Sequence, residues 1–170
     1  EALGSLGDKV SARALAIAAK VPVIPGTPDP VQTDAQALEF AQSAGYPLMV
    51  KAAFGGGGRG MRRVRNDSEL LDGLAAARRE AAAAFGHDDV FIEKLIEQPR
   101  HIEVQLLGDA QGHIVHLFER DCSVQRRHQK VVEVAPAIGL SPALKAELFE
   151  SALKIGKAAG LTSAATVEFL

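Results

Sequence analysis

The stretch Tyr46–Arg65, YPLMVKAAFGGGGRGMRRVR, constrains this chain more than any other. Leu48–Val50 is a short apolar run that reads as a buried strand, and it ends on a single lysine, Lys51. Four consecutive glycines, Gly55–Gly58, come next, then Arg59, Gly60 and a second β-prone segment, Met61–Val64. Lacking a Cβ, such a turn can adopt positive φ and turn several backbone N–H groups toward one anion. A flexible linker has a similar glycine content, but linkers are seldom framed by strand signals on both sides. The pattern predicts a hairpin whose tip closes over phosphates, with the Lys51 ammonium beside it as a point charge. Neither GxxxxGKS nor GxxxxGKT occurs, and a strand follows the glycines where a helix would be needed. Both facts argue against a P-loop or a Rossmann turn.

Around the hairpin the periodicity changes twice. Asp8 is placed to cap a helix running to about Lys20, with Val10, Ala14 and Ile17 along one face, and Pro22 and Pro25-Gly26 stop it. Thr33 and Gln36 have capping-box spacing and open a helix that Gly45 closes. Asn66-Asp67-Ser68 caps an Ala- and Leu-rich helix reaching Phe85, with Gly86 after it. Short strand signals then succeed one another at Val90–Glu93, His101–Leu107, Ile114–Arg120, Val124–Arg127 and Val131–Val134. That is an antiparallel meander rather than a β-α-β alternation. Ser141-Pro142 starts a helix to Ala159, and Ala164–Leu170 is a last strand. The expected class is α+β, with a small lid over residues 23–96 and part of an antiparallel sheet over 97–170.

Composition limits the partners. At 170 residues with 47% apolar side chains there is ample material for a core. A net charge of −2 implies no general polyanion-binding surface; the basic residues gather instead at Arg59–Arg65 and Arg120–Lys130. One cysteine, Cys122, forbids an internal disulfide and suits a reducing compartment. No apolar run approaches the ~20 residues of a membrane span, and no signal peptide is visible. Glu1 without an initiating methionine, and a chain ending inside a strand signal, lead us to expect a fragment at both ends.

Four places can carry chemistry. Lys9 sits in the first turn of a helix, where the macrodipole disfavours a cation unless an anion is near; alone it reads as a solvated surface residue. Glu93-Lys94-Leu95-Ile96 reads as a strand leaving the lid, able to offer backbone groups to an adenine edge or to be an ordinary strand end. In ERDCSVQRRHQKVV, Glu119–Val132, alternation puts Gln125, Arg127 and Gln129 on one face and Val124 and Arg126 on the other. Polar donors set between apolar strands predict an anion-binding wall; His128 and Cys122 have no second ligand at zinc-site spacing. Glu168, between Val167 and Phe169, is either a hard oxygen ligand for Mg²⁺ or a solvent-facing strand residue.

Together these segments resemble the biotin carboxylases, ATP-grasp enzymes, and most closely those of pyruvate carboxylases. The resemblance rests on LGDKVSARALAIAAKVPVIPGT, KAAFGGGGRGMRRV, AAFGHDDVFIEKLIEQPRHIEVQLLGD, ERDCSVQRRHQKVVEVAPA and TVEFL, which cover nearly the whole chain. It implies an ATP-grasp fold, with residues 1–22 holding a linking helix from a missing N-terminal subdomain. It implies that Lys9 and Lys51 hold ATP phosphates, that Gly57 and Gly58 close over them, and that Glu93, Lys94, Leu95 and Ile96 frame the adenine. His101, Gln125 and His128 would line the nucleotide site, Lys130 would sit by bicarbonate as the catalytic residue, and Glu168 would be the first Mg²⁺ (or Mn²⁺) ligand. The implied reaction is ATP-dependent carboxylation of biotin N1′ through carboxyphosphate, with a biotin carrier domain and a carboxyltransferase domain as partners. A homo-oligomer in the cytoplasm, or in the mitochondrial matrix of a eukaryote, is implied for the full enzyme, without nucleic-acid or membrane partners. The family's catalytic arginine, its general base and its second metal ligands follow the strand that ends at Leu170. The 170 residues alone are therefore expected to be inactive. An acyl-CoA carboxylase, a carbamoyl-phosphate synthetase half and a non-catalytic nucleotide-binding module stand as alternatives.

Overall fold

The computed structural model describes residues 9–52, 61–126 and 129–170, with the side chains of Lys9, Val10 and Phe85 left aside. Gly57, Gly58, Arg127, His128 and the Lys9 side chain, all named from the sequence, lie outside the described residues. The rest divides into two compact units, Val23–Ile96 and Glu97–Leu170, the latter taking in Ser11–Pro22 of the first helix and its exit.

That first helix, α1, spans Lys9–Ala18. Ile17, expected on its apolar face, is exposed, and Ala16 and Val21 are buried instead.

In the Val23–Ile96 unit, β1 (Leu48–Ala52) lies between β2 (Arg62–Val64) and β3 (Val90–Lys94), antiparallel to both. Helix α2 (Asp34–Ala44) starts at the expected capping box: Thr33 Oγ1 accepts from the Gln36 N–H, while Gln36 Oε1 accepts from the Thr33 N–H, both at 3.3 Å. Helix α3 (Asp67–Phe85) is capped by Asn66 Oδ1, which accepts from the Glu69 N–H at 2.9 Å, and ends on Gly86 at φ 76°. Leu48, Val50 and Val64 of the sheet pack on Ala37 and Ala41 of α2 and on Leu70, Leu74 and Ala77 of α3. Period two along β1 then dictates the rest: with Leu48, Val50 and Ala52 in the core, Met49 and Lys51 face the other way.

In the second unit the strands run in the order β6-β5-β4-β7, every pair antiparallel: β4 is Ile102–Gly108, β5 Ile114–Arg126, β6 Gln129–Val134 and β7 Ala164–Phe169. Helix α4 (Pro142–Ala158), capped by Ser141 with Pro142 in its first turn, buries Ala152 against Val104, Leu106 and Leu161. The expected separate strands Ile114–Arg120 and Val124–Arg127 are one strand through Arg126. Its pairing with β6 slips between Asp121 and Val124, so a bulge there absorbs the polar DCS that reads as a break in the sequence. Among the described residues no helix is long and apolar enough to cross a membrane.

Candidate functional site

β4 is a central strand, and its register decides what meets on the face away from α4. Glu103 stands opposite Glu168 of β7 on one side and opposite Arg120 of β5 on the other, while Gln125 of β5 stands opposite Lys130 of β6. Glu103 is only 1% exposed, so its charge must be matched within the protein. Its two oxygens divide the task. Oε2 accepts from Arg120 at 2.9 Å; Oε1 meets the Lys130 ammonium and lies 3.4 Å from His101 Nε2. Lys130 also donates to Glu168 Oε1 at 3.0 Å, and His101 Nε2 is 3.5 Å from that oxygen. Burial alone would raise the Glu168 carboxyl, but the Lys130 ammonium, aided by His101, more than offsets it and holds it below the ordinary glutamate value. Arg120 is anchored in turn by Gln105 Oε1 at 3.1 Å and by Glu133 at 3.4 Å.

The β5 bulge fixes the histidine. The His101 N–H donates to Ser123 Oγ at 2.9 Å, and the Cys122 N–H donates to the His101 carbonyl at 2.7 Å. Asp121 braces the bulge by accepting from the Ser123 N–H at 2.9 Å and from Arg100 at 2.7 Å. The Ser123 hydrogen bonds, followed by Arg100, pull the Asp121 carboxyl down to about 2. Because the folded-state value is depressed, this stabilisation is complete above the unfolded aspartate range near pH 4 and is lost as pH falls toward 2. Urea unfolding should therefore show Asp121→Asn about 1–2 kcal/mol less stable than wild type at pH 6, after allowance for solvent screening. The gap should close near pH 2; a gap that does not change with pH would remove the charge from the account. Cys122 is fully buried, and burial raises its thiol, which disfavours the thiolate.

In the other unit, Lys51 is not a bare charge. It pairs with Glu93, its diagonal neighbour across β1 and β3 on the face opposite the core. The expected strand Glu93–Ile96 stops at Lys94. Lys94 Nζ donates to the Gly45 and Tyr46 carbonyls, both at 3.0 Å, at the C-terminal end of α2. The N–H groups of Lys94 and Leu95 donate to the Pro25 and Pro47 carbonyls at 2.8 and 3.2 Å, and Ile96 is 37% exposed.

Of the residues named from the sequence, then, His101, Gln125, Lys130 and Glu168 come together in the sheet unit, and Lys51 and Glu93 in the other. Sequence reasoning missed Glu103 and Arg120. In IEVQL the apolar residues alternate, so Glu103 reads as solvent-facing. Its partners are remote in sequence, and only the strand register joins them. His101, Glu103 and Glu168 each place one ligand-type atom within 4.8 Å of the others, a set of donors suited to a cation, at present served by Lys130.

Comparison with known proteins adds the following. The sequence profile of the family described as carbamoyl-phosphate synthase L chain, ATP binding domain, matches residues 8–170. Pyruvate carboxylase of Bacillus subtilis is 55% identical over all 170 residues, which span 15% of that protein's length. A biotin carboxylase from Campylobacter jejuni, solved as a β-γ-ATP complex, superposes with a TM-score of 0.95 at 46% identity, over 99% of this chain and 38% of that one. The biotin carboxylase domain of the Hydrogenobacter thermophilus 2-oxoglutarate carboxylase gives 0.93 at 43% identity, over 98% of this chain and 37% of its own. It was solved as a dimer with MgADP, ADP and bicarbonate.

Proposed function

This chain belongs to the family of the carbamoyl-phosphate synthase L chain ATP-binding domain, and on that premise we propose that it is the ATP- and bicarbonate-binding part of a biotin carboxylase, within a pyruvate carboxylase. The observation that carries the reading is the meeting of Lys130, His101, Gln125 and Glu168, from three strands and the approach to a fourth, around one buried carboxylate. Lys130 and His101 supply cationic and N–H groups for a small anion. Glu168, half exposed and oxygen-only, fits as one ligand of Mg²⁺ or Mn²⁺. Such an ion would neutralise charge on phosphate oxygens.

Phosphoryl transfer asks a protein mainly for positioning and charge neutralisation. Bicarbonate attacks the γ-phosphate of ATP and ADP leaves; the carboxyphosphate then breaks its carbon–oxygen bond to phosphate as the carboxyl carbon bonds to biotin N1′, and the released inorganic phosphate takes up the N1′ proton. Lys130 orients bicarbonate. Lys51, exchanging Glu93 for a phosphate oxygen, steadies the nucleotide, together with Lys9, Gly57 and Gly58; His101, Gln125 and His128 line its site. The adenine edge meets the Glu93–Ile96 segment. Since the Lys94 and Leu95 N–H groups are already bonded, carbonyls and Ile96 would do the reading. Residues 23–96 act as the lid and 97–170 as part of the catalytic sheet, with 1–22 linking them to a further subdomain. A biotin carrier domain, a carboxyltransferase domain and a second copy of the enzyme complete the assembly, in the cytoplasm or the mitochondrial matrix.

Biotin-dependent ATP cleavage by the complete enzyme carrying this chain tests the reading. Lys51→Ala should lower kcat/KM for ATP on the order of 100-fold, and Lys20→Ala should leave it unchanged. Equal kinetics for the two variants would remove Lys51 from the site, and ATP cleavage indifferent to biotin would remove the carboxylase.

A further inference from the structure

The Gln125 side-chain nitrogen lies 3.0 Å from the Cys122 carbonyl oxygen and 3.0 Å from His101 Nδ1. A carbonyl oxygen only accepts, so the end of the amide that faces it must be the NH₂ group and not the oxygen. One of the two amide hydrogens goes to Cys122. The other points at Nδ1, which can receive it only as an unprotonated nitrogen; a proton on Nδ1 would set two donors head to head at 3.0 Å. We infer that Gln125 is a positioning residue that fixes His101 as its Nε2–H tautomer, with that N–H turned toward the Glu103 and Glu168 carboxylates.

The surroundings agree. His101 Nε2 is 3.4 Å from Glu103 Oε1 and 3.5 Å from Glu168 Oε1, two acceptors also shared by the Lys130 ammonium. A bare Nε2 lone pair there would face negative oxygen, whereas an N–H turns positive charge toward both oxygens, without closing a hydrogen bond to either. The backbone leaves little slack, because Ser123 and Cys122 hold the N–H and the carbonyl of His101 and the same bulge presents Gln125. The carboxylates are thereby lined up by an ammonium and an imidazole N–H at once. The tautomer follows from geometry alone; its use in setting Glu168 for a nucleotide's metal rests on the function proposed above.

The test is nuclear magnetic resonance of the full chain labelled with ¹⁵N-histidine, using long-range proton–nitrogen correlations, with His101 assigned by loss of its signals in His101→Asn. The wild-type ring should show Nδ1 as unprotonated and Nε2 as N–H. Gln125→Glu replaces a donor by an acceptor, so Nδ1 should gain a proton; Gln125→Met should leave a mixture at Nδ1. Unchanged signals from His113, in the β4–β5 hairpin, report an intact fold. An Nδ1–H or doubly protonated ring in wild type, or a Gln125→Glu ring identical to wild type, overturns the inference. Titration with MgADP separates the two claims. No ADP binding with the stated tautomer sinks the nucleotide reading alone, and ADP binding by a protein whose His101 ring is Nδ1–H or doubly protonated sinks this one alone.

Discussion

Glu103→Ala is expected to destabilise the sheet unit by about 3 kcal/mol, the lower part of the range for removing one partner of a buried ion pair. Glu103 is 1% exposed, and its loss strands Lys130 and Arg120, whose side chains are 32% and 25% exposed. Because water still reaches those partners, the upper part of the range is not expected. Arg120 keeps Gln105 and Glu133, while Lys130 keeps only Glu168 among its described partners, so most of the penalty should fall on Lys130. A comparison makes the cause visible. Replacing both members of the pair, Glu103→Met with Lys130→Met, removes the orphaned charge and should recover at least half of the loss. Urea unfolding of the single and double variants decides it. A single-variant loss below about 1 kcal/mol would put the cluster among ordinary surface ion pairs.

The same residues show what could be read from the letters. Local devices were legible: the Thr33–Gln36 box, the Asn66 cap, Gly45 and Gly86 all act within a few residues, and each ends or begins a helix where expected. Strand existence was legible too, since alternation is a local signal. The bulge at Asp121–Val124 was not, because Asp121 and Ser123 look like a chain break until side-chain oxygens are seen bonding the backbone there. Nor was Glu103. Its environment is made by Arg120, Lys130, Glu168 and His101, and a register between four strands cannot be counted from one of them. The candidate site thus divides by range: residues with a distinctive local motif were named, and the buried carboxylate that gathers them was not.

That division explains why polar residues can fill the face of β4 away from α4. Burial on both faces normally calls for a continuous apolar strand. Here Ile102, Val104 and Leu106 provide the apolar side, and Glu103, hydrogen-bonded at Oε2 and ion-paired with Lys130 at Oε1, is buried without leaving its charge unpaired.

On the apolar side of β4 the second large effect is expected. A Cβ built at Gly108 would lie 2.1 Å from the Leu161 carbonyl oxygen and 2.9 Å from its carbon. Both are backbone atoms, and the segment cannot swing aside freely: the Leu161 N–H donates to the Gly156 carbonyl, and the Gly108 N–H donates to the Ser163 carbonyl, each at 3.0 Å. Gly108→Ala must therefore pull the α4–β7 connection off the sheet or break the end of β4. We expect about 3 kcal/mol, the top of the usual overpacking range. Gly156 supplies the control, since its added Cβ would be 2.9 Å from Leu106 Cδ1, the far end of a side chain that can turn. Gly156→Ala loses less, about 1 kcal/mol, helped by alanine's better helix propensity. Thermal or urea unfolding of the two variants ranks them, and a Gly156→Ala loss equal to or above that of Gly108→Ala would mean that the connection yields more easily than the side chain.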